Sequence, residues 1–314
     1  MTDVILAVDG GGTKTDVIVA SPTGVAMGRG HSGPVNMHDE GITARDIEKR
    51  LRTAIQAAMK QVRTRGRVRI VAAVAGMAGC NSARDERILR AIFRRACPAL
   101  PRSFLLVNDV MIARRAGSDQ PYGLALIAGT GSNGYGINPQ GQEAWVSGIG
   151  HYASDDGSAY DIGMRVLRAA AQSADGRGEH TLLEPLVIHY YGLNSIREIE
   201  WPLHHQGKAV KTEIAKLAPL ADHAARKKDR VAREILHAAA DAQVCMATTL
   251  LRRLNMKNRE CSCVCIGGVF SQNTFIWKRF CAQMKRAATS VHCQLFRGKP
   301  VDGAVKLAIE SMKK

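Results

Sequence analysis

A glycine turn near the start of the chain carries residue types that bind phosphate. Three consecutive glycines, Gly10–Gly12, lie between Asp9 and Thr13. Glycines can adopt positive φ and direct successive backbone N–H groups at one anion, while the hydroxyl of Thr13 and the charge of Lys14 add to such a site. An ordinary glycine hairpin is the alternative, although three glycines weaken a hairpin on entropic grounds. The nucleotide-binding residues predicted in this turn are Gly11, Gly12, Thr13 and Lys14.

Asp9 comes directly after an apolar run, Val4–Val8, and therefore at the end of a predicted strand. A carboxylate in that position can hold Mg²⁺ through water while the ion bridges phosphate oxygens. We predict Asp9 as the metal residue.

A second turn, Ala128–Gly134, matches the spacing G-x-G-x-x-G. A dinucleotide-binding motif with this spacing opens a helix, but here a strand pattern follows at Tyr135–Ile137. A P-loop is excluded because the required glycine–lysine spacing is absent and Lys299 precedes a proline. We interpret the turn as a second phosphate-binding hairpin, suited to clamping one polyphosphate together with the first. Its predicted nucleotide-binding residues are Thr130, Gly131 and Ser132.

Asp109 and the pair Gly267-Gly268 each follow a predicted strand. A carboxylate at a strand tip can accept the proton of an attacking hydroxyl in phosphoryl transfer, and we predict this role for Asp109. Its alternative role is the N-cap of a helix over Val110–Ala116. Gly267 and Gly268 could let adenine or ribose approach the backbone, although glycine pairs also simply end strands.

Hydrophobic periodicity predicts an alternation of strands and helices around these residues. Each half of the chain opens with strand, glycine turn, strand. Capped helices are predicted from Thr43 and over Ser82–Cys97, and helical periodicity dominates Ser158–Asn255. The sequence therefore predicts an α/β chain of two related halves with a cleft between them, and the loop Gly117–Pro121 marks their boundary.

Composition narrows the class of protein. The 314 residues are 46% hydrophobic, without an N-terminal basic region or an apolar stretch of membrane-spanning length, so we expect a cytoplasmic protein that does not contact a membrane. The eight cysteines form no CxxC pair. Alternate spacing puts Cys261, Cys263 and Cys265 on one face of a strand, where core thiols are a better interpretation than a metal site.

The net charge of +16 suggests nucleic acid as a partner. The basic residues are, however, scattered over helix-like segments without interleaved aromatics, which make up only 5% of the chain. We interpret them as a solvated surface and predict no nucleic-acid partner.

In combination, these segments resemble the BadF/BadG/BcrA/BcrD ATPase family, in its glucosamine and N-acetylglucosamine kinase branch, within the sugar kinase, Hsp70 and actin superfamily. The resemblance covers nearly the whole chain. Besides the two turns, Asp109 and Gly267-Gly268, it rests on Gly33–Asn36, Gly148–Tyr160 and Val301–Ala304.

The resemblance implies a two-domain, actin-like (ribonuclease H-like) ATPase fold with duplicated mixed sheets around a nucleotide cleft. The implied domains are residues 1–117 with the terminal helix 300–314, for phosphate and sugar, and residues 118–299, for nucleotide and dimerisation. It further implies ATP and Mg²⁺ as cofactors and a homodimer. Asp109 would deprotonate a sugar hydroxyl, and Thr13 and Thr130 would bind phosphates. The residues implied in sugar binding are Asn36, Asp109, Gly148, Gly150 and Asp155.

The implied function is ATP-dependent phosphorylation of the 6-hydroxyl of an amino sugar. Relatives often carry a tryptophan where this chain has Ile149, which leaves the identity of the sugar open. The alternative within the family is an ATPase activator of a dehydratase or reductase that carries an iron–sulfur cluster. The cysteines of this chain lack the helix-flanked pattern of those activators.

Overall fold

The computed structural model describes residues 1–39, 41–64, 66–205 and 210–313. The chain divides into two compact units. Unit 1 comprises Met1–Pro121 together with the chain from Phe296 onward, and unit 2 comprises Tyr122–Leu295. The functional roles given to the two domains stay predictions, and residue 314, the last of the predicted terminal helix, lies outside the described residues.

Unit 1 is built on a five-stranded mixed sheet with the order β3-β2-β1-β4-β5. Strand β1 pairs antiparallel with β2 and parallel with β4, and β4 pairs parallel with β5. The strands are β1 Thr2–Gly10, β2 Thr15–Ala20, β3 Ala26–Ser32, β4 Val68–Met77 and β5 Leu105–Asn108. The helices are α1 Ala44–Met59, α2 Ala83–Ala96, α3 Asp109–Gly117 and α12 Pro300–Ser311.

Alternation along β1 divides the core of unit 1 into two layers. Val4, Leu6 and Val8 pack in one cluster with apolar residues of α1 and α2. Ile5 and Ala7 pack in another with residues of α3 and α12. Both predicted caps are confirmed, since Thr43 forms a capping box at α1 and Ser82 caps α2.

Strand β3 was not predicted. Gly28 and Gly30 remove the apolar alternation that would indicate a strand, but the packing requires both glycines. A Cβ at Gly28 would lie 2.0 Å from the carbonyl oxygen of Ala58, and one at Gly30 would lie 1.9 Å from that of Ala54. Helix α1 therefore packs directly on the backbone of β3.

Unit 2 repeats the mixed five-stranded sheet, with the order β10-β9-β6-β7-β8, which confirms the predicted duplication. Its strands are β6 Gly123–Ala128, β7 Ser132–Ile137, β8 Glu143–Ser147, β9 Cys261–Ile266 and β10 Val291–Leu295. Strand β6 pairs antiparallel with β7 and parallel with β9. Cys261, Cys263 and Cys265 are fully buried in the core of this unit, as the interpretation as core thiols predicted.

Eight α-helices cover the described part of unit 2. They are α4 Ala159–Asp175, α5 Leu183–Tyr191, α6 Glu200–His205, α7 Val210–Ala215, α8 Ala218–Arg226, α9 Arg230–Arg253, α10 Gly268–Gln272 and α11 Thr274–Ala287. Among the described residues, no helix is long and apolar enough to cross a membrane.

Candidate active site

The first glycine turn joins β1 and β2 as the predicted hairpin, with Gly10 opposite Thr15. The expectation of positive φ was wrong, because none of Gly10–Gly12 has a left-handed backbone. Glycine is required at position 10 for space, since a Cβ there would lie 2.4 Å from Sδ of Met77 and 2.7 Å from Cγ2 of Val35.

Only part of this turn is open to a ligand. The N–H of Gly11 donates to the carbonyl oxygen of Lys14 at 2.9 Å and closes the hairpin, so it is not available to phosphate in this structure. Gly12 and Thr13 are exposed, and their N–H groups make no hydrogen bond with other described residues. These two residues are the donors that the turn offers to an anion.

Lys14 is held by Asp16, a contact that the sequence did not reveal. The Nζ of Lys14 lies 2.6 Å from Oδ2 of Asp16, and Nδ1 of His31 contacts Oδ1 of the same carboxylate. Asp16 is 3% exposed, whereas the side chains of Lys14 and His31 are largely exposed. Burial acts to raise the pKa of Asp16, but the hydrogen bonds from Lys14 and His31 together outweigh it and lower that pKa, so Asp16 is an anion that orients Lys14.

Asp9 and Asp109 stand at the same edge of the unit 1 sheet. Strands β1, β4 and β5 are parallel, and Gly10, Met77 and Asn108 are in register at their carboxyl ends. Asp9 immediately precedes this row and Asp109 immediately follows it. The topology therefore places the predicted metal residue and the predicted base two strands apart, about 10 Å.

Asp109 is the first residue of α3, not its cap. The cap is Asn108, whose side-chain oxygen accepts the N–H of Val110 at 3.1 Å, so the alternative interpretation of Asp109 as N-cap was wrong. Burial raises the pKa of Asp109 to about 6, although hydrogen bonds from the backbone N–H groups of Val110 and Asp109 lower it in part. Its carboxylate is thus available as a base near neutral pH.

The ionisable groups around Asp9 carry more negative than positive charge. Burial, followed by repulsion from Asp109 and then Asp16, raises its pKa to about 7. No described cationic side chain forms an ion pair with Asp9. A half-buried carboxylate that forms no ion pair, and whose charge Lys14 offsets only in part, fits a divalent cation held by one or two carboxylates and phosphate oxygens.

Asn36 lies beside the first turn, as a sugar or phosphate contact would require. A Cβ at Gly12 would lie 3.9 Å from Nδ2 of Asn36 and 3.2 Å from Oδ2 of Asp39. Asn36 donates from Nδ2 to Asp39 at 2.8 Å and accepts the N–H of His38 at 3.1 Å. Its side chain is therefore fixed by the loop that carries it.

The second glycine turn joins β6 and β7, and Gly129 donates to the carbonyl oxygen of Gly131 at 2.9 Å. The turn docks on the first turn of α4, because the carbonyl oxygens of Gly129 and Thr130 accept the N–H groups of Ala159 and Tyr160. Thr130 is exposed, and its hydroxyl makes no hydrogen bond with other described residues. It is the side-chain donor that this turn offers to phosphate.

Ser132, the third predicted residue of this turn, is buried. The side chain is 3% exposed; its N–H donates to Asp155 at 2.9 Å and its hydroxyl to the carbonyl oxygen of Asp156 at 3.0 Å. Both donors are used inside unit 2, and the contribution of Ser132 to nucleotide binding stays a prediction. Its observed contribution is to hold the turn.

Asp155 packs against the same turn and accepts the N–H of Ser132. It is 3% exposed, has φ of 74°, and pairs with Nζ of Lys211 at 2.8 Å. A Cβ at Gly131 would lie 2.8 Å from its carboxylate, so glycine at 131 makes room for Asp155. The sugar contact implied for Asp155 stays a prediction, whereas its observed contacts fix the shape of the second glycine turn.

The loop after β8 presents apolar side chains to solvent. Gly148 and Gly150 have φ of 75° and 94°, and Ile149 and Tyr152 between and after them are 70% and 91% exposed. The ring of His151 packs against that of Tyr152, with 4.1 Å between centroids. The backbone contacts implied for Gly148 and Gly150 stay predictions.

Gly267 follows β9 with φ of 106°, and a Cβ there would lie 2.3 Å from the carbonyl oxygen of Ala128. It thus brings the start of α10 against the end of β6, next to the second turn. A Cβ at Gly268 would have the flexible side chain of Gln272 as its nearest neighbour, at 3.6 Å. Their contact with adenosine stays a prediction.

Three residues of the candidate site were missed from the sequence. Asp39 and Lys211 could not be found, because each meets its partner only through the fold. Asp16 could have been found from the sequence. It is the one carboxylate in β2, and its charge is opposite to that of the nearby Lys14.

Known proteins match this chain over most of its length. Residues 6–305 match the family model described as the BadF/BadG/BcrA/BcrD ATPase family. An N-acetylmuramic acid/N-acetylglucosamine kinase of Clostridium acetobutylicum is 29% identical over 88% of each chain. An N-acetyl-D-glucosamine kinase of Dictyostelium discoideum is 24% identical over 82% of each chain.

Among solved structures, one from Chromobacterium violaceum, provisionally described as an N-acetylglucosamine kinase, covers 98% of this chain and 99% of its own with a TM-score of 0.77. At 20% identity this likeness shows the fold, which is the actin-like sugar-kinase fold predicted from the sequence.

Proposed function

The chain belongs to the BadF/BadG/BcrA/BcrD ATPase family, and we propose on this premise that it is an ATP-dependent kinase that phosphorylates the 6-hydroxyl of an amino sugar. The observation that carries the proposal is Asp109. The pKa of its carboxyl group is raised to about 6, and it lies at the same sheet edge as the first glycine turn. It is not needed as a helix cap, because Asn108 caps α3.

In the proposed reaction, Asp109 accepts the proton of the sugar hydroxyl while the oxygen of that hydroxyl forms a bond to the γ-phosphorus of ATP. The bond from that phosphorus to the β–γ bridging oxygen breaks, and ADP leaves. A base with a pKa about one unit below neutral pH is mostly ionised yet still basic enough to take the proton. Positioning and charge stabilisation supply most of the remaining rate enhancement.

Asp9 is the residue that would hold Mg²⁺. The bound ion would neutralise charge on the phosphates, and its own charge would relieve the repulsion that raises the pKa of Asp9. In unit 1, Gly12 and Thr13 would donate to phosphate oxygens. In unit 2, Thr130 would have the same role. Lys14, oriented by Asp16, would add positive charge beside the first turn.

The acceptor is proposed from the relatives, whose names give N-acetylglucosamine and N-acetylmuramic acid as substrates. Asn36, held by Asp39 at the first turn, is the hydrogen-bonding residue that we assign to the sugar ring in unit 1. N-acetylglucosamine, which both names contain, is the leading candidate, and glucosamine is the second acceptor that the sequence resemblance implies.

A coupled ADP-release assay tests the proposal. Glucosamine, N-acetylglucosamine, N-acetylmuramic acid, N-acetylmannosamine and glucose are compared at equal concentration, with and without Mg²⁺. We expect turnover with at least one amino sugar well above that with glucose. ATP hydrolysis that no sugar stimulates would contradict a kinase function.

The iron–sulfur activator is the alternative class, and Cys261, Cys263 and Cys265 are its sequence candidates for ligands. All three are fully buried in the unit 2 core, which favours packing over cluster binding. Burial raises the pKa of the Cys261 thiol to about 11, and metal binding would require the thiolate. Iron at stoichiometric amounts in anaerobically purified protein would favour the activator.

The homodimer and the cytoplasmic location stay predictions.

A further inference from the structure

A cavity of about 710 Å³ in unit 2 is lined by unpaired positive charge. It lies between the end of α9, the loop that leads into β9, and the end of α11 at Ala287. Arg252, Lys257 and Arg259 line it together with the polar side chains of Thr248, Asn255 and Asn258. No carboxylate is among the lining residues.

Two arginines elsewhere in unit 2 are paired with carboxylates. Arg279 binds Asp241 through two nitrogens at 2.8 and 3.0 Å, and Arg226 pairs with Asp222 at 2.7 Å. Within the described residues, Arg252, Lys257 and Arg259 have no carboxylate within ion-pair distance. The neighbouring Glu260 contacts His292 at 3.5 Å instead. Like charges gathered without a counter-charge repel one another, which an anion in the cavity would relieve.

The loop that carries these charges is fixed before any ligand binds. Asn255, two residues beyond the end of α9, has the left-handed conformation with φ of 54°, and Met256 donates to the carbonyl oxygen of Leu251 at 2.8 Å. Met256 is 1% exposed and therefore anchors the loop in the core, and Arg259 donates to its carbonyl oxygen at 3.0 Å. A preformed loop spares a ligand the entropy cost of ordering it.

The cavity is distinct from the candidate nucleotide turns. Its loop, Asn255–Arg259, precedes β9, whereas Gly267 follows that strand. A strand of six residues is about 20 Å long, and the second glycine turn lies at the Gly267 end. The attraction of a helix C-terminus for cations accounts for Arg252 alone, since Lys257 and Arg259 lie outside the helices.

We propose that this cavity binds a small phosphorylated molecule, a phosphate monoester or free phosphate, at a site separate from the catalytic one. Its volume lies in the range of small-molecule sites. Arginine, lysine and amide side chains are suitable donors for phosphate oxygens. A single-stranded nucleic acid is disfavoured because no aromatic side chain lines the cavity for base stacking.

The test compares the double variant Lys257→Ala/Arg259→Ala with the wild type by titration calorimetry at constant ionic strength. The three small probes are inorganic phosphate, glucosamine 6-phosphate and AMP, and a short oligonucleotide is titrated as the nucleic-acid alternative. Lys227→Ala/Lys278→Ala is the matched control, because both lysines are exposed in unit 2 and do not line the cavity. All four residues are exposed, so we expect each variant to fold.

We expect the cavity variant to weaken binding of at least one probe about tenfold or more, the control to leave it unchanged, and ATP affinity to stay the same in both. If the binding of all three small probes weakens equally, the site is assigned to free phosphate. If the binding of one ester weakens more, the site is assigned to that ester. Either result supports the proposal. Wild-type affinity of the cavity variant for every probe would overturn it. So would a variant that loses only the binding of a short oligonucleotide.

Discussion

The side-chain oxygen of Asn108 accepts the N–H of Val110 at 3.1 Å, and this one contact determines what Asp109 is free to do. Asparagine is among the best residues for capping a helix, and with Asn108 in that position the carboxylate of Asp109 is not needed for it. The sequence could not separate the two roles, because either of two adjacent polar residues at a strand end can cap the helix that follows.

Replacing Asp109 with asparagine should abolish most phosphoryl transfer while nucleotide binding persists. The amide keeps the shape but cannot take a proton, and loss of a general base typically lowers kcat by about 10² to 10⁴. Steady-state ADP release and ATP titration measure the two effects. Asp119→Asn is the control, since Asp119 is an exposed carboxylate of unit 1 that pairs with Lys306. Near-normal turnover of Asp109→Asn would remove it from the role of base.

The rate should depend on pH through the same carboxyl group. Because the pKa of Asp109 is raised to about 6, the fraction of the ionised base falls as pH drops through that value. We expect kcat/KM for the sugar to decline about tenfold per pH unit below pH 6. The slow residual rate of Asp109→Asn should lack this limb. A wild-type profile that stays flat down to pH 5 would contradict the assignment.

The packing of β3 against α1 predicts strong intolerance at Gly30. An alanine Cβ there would lie 1.9 Å from the carbonyl oxygen of Ala54, and backbone cannot give way as a side chain can. We expect Gly30→Ala to lower the free energy of unfolding by about 3 kcal/mol or more. Gly66→Ala is the matched control, because its Cβ has 3.7 Å to the nearest atom, and it should change stability by less than about 0.5 kcal/mol. Urea denaturation compares the two.

How far the sequence predicts this molecule depends on the range of the interactions involved. The hairpins at Gly10 and Gly129 and the caps at Thr43 and Ser82 depend on nearby residues, and the sequence predicts them. Strand β3 was missed because its glycines are required by packing against helix α1, whose contacting residues are not close to β3 in the sequence. For the same reason, the commitment of Ser132 to Asp155 could not be read from either residue's neighbours.

The ion pair of Lys211 with Asp155 connects helix α7 to the second glycine turn. Asp155 is buried against Gly131 and accepts the N–H of Ser132, so removing Lys211 would leave a buried carboxylate without its counter-charge. We expect Lys211→Met to lower the free energy of unfolding by about 3 kcal/mol and to raise the KM for ATP more than the KM for the sugar. Thermal unfolding and two-substrate kinetics measure these effects.

The matched control for this prediction is Lys227→Met, which removes an exposed lysine of unit 2 that lies outside this contact. It should change neither quantity. The double variant Lys211→Met/Asp155→Asn should recover part of the lost stability, because it removes the stranded charge while the amide can still accept from Ser132. If Lys211→Met lowered stability without affecting the KM for ATP, Asp155 would support the core of unit 2 but not the geometry of the phosphate turn.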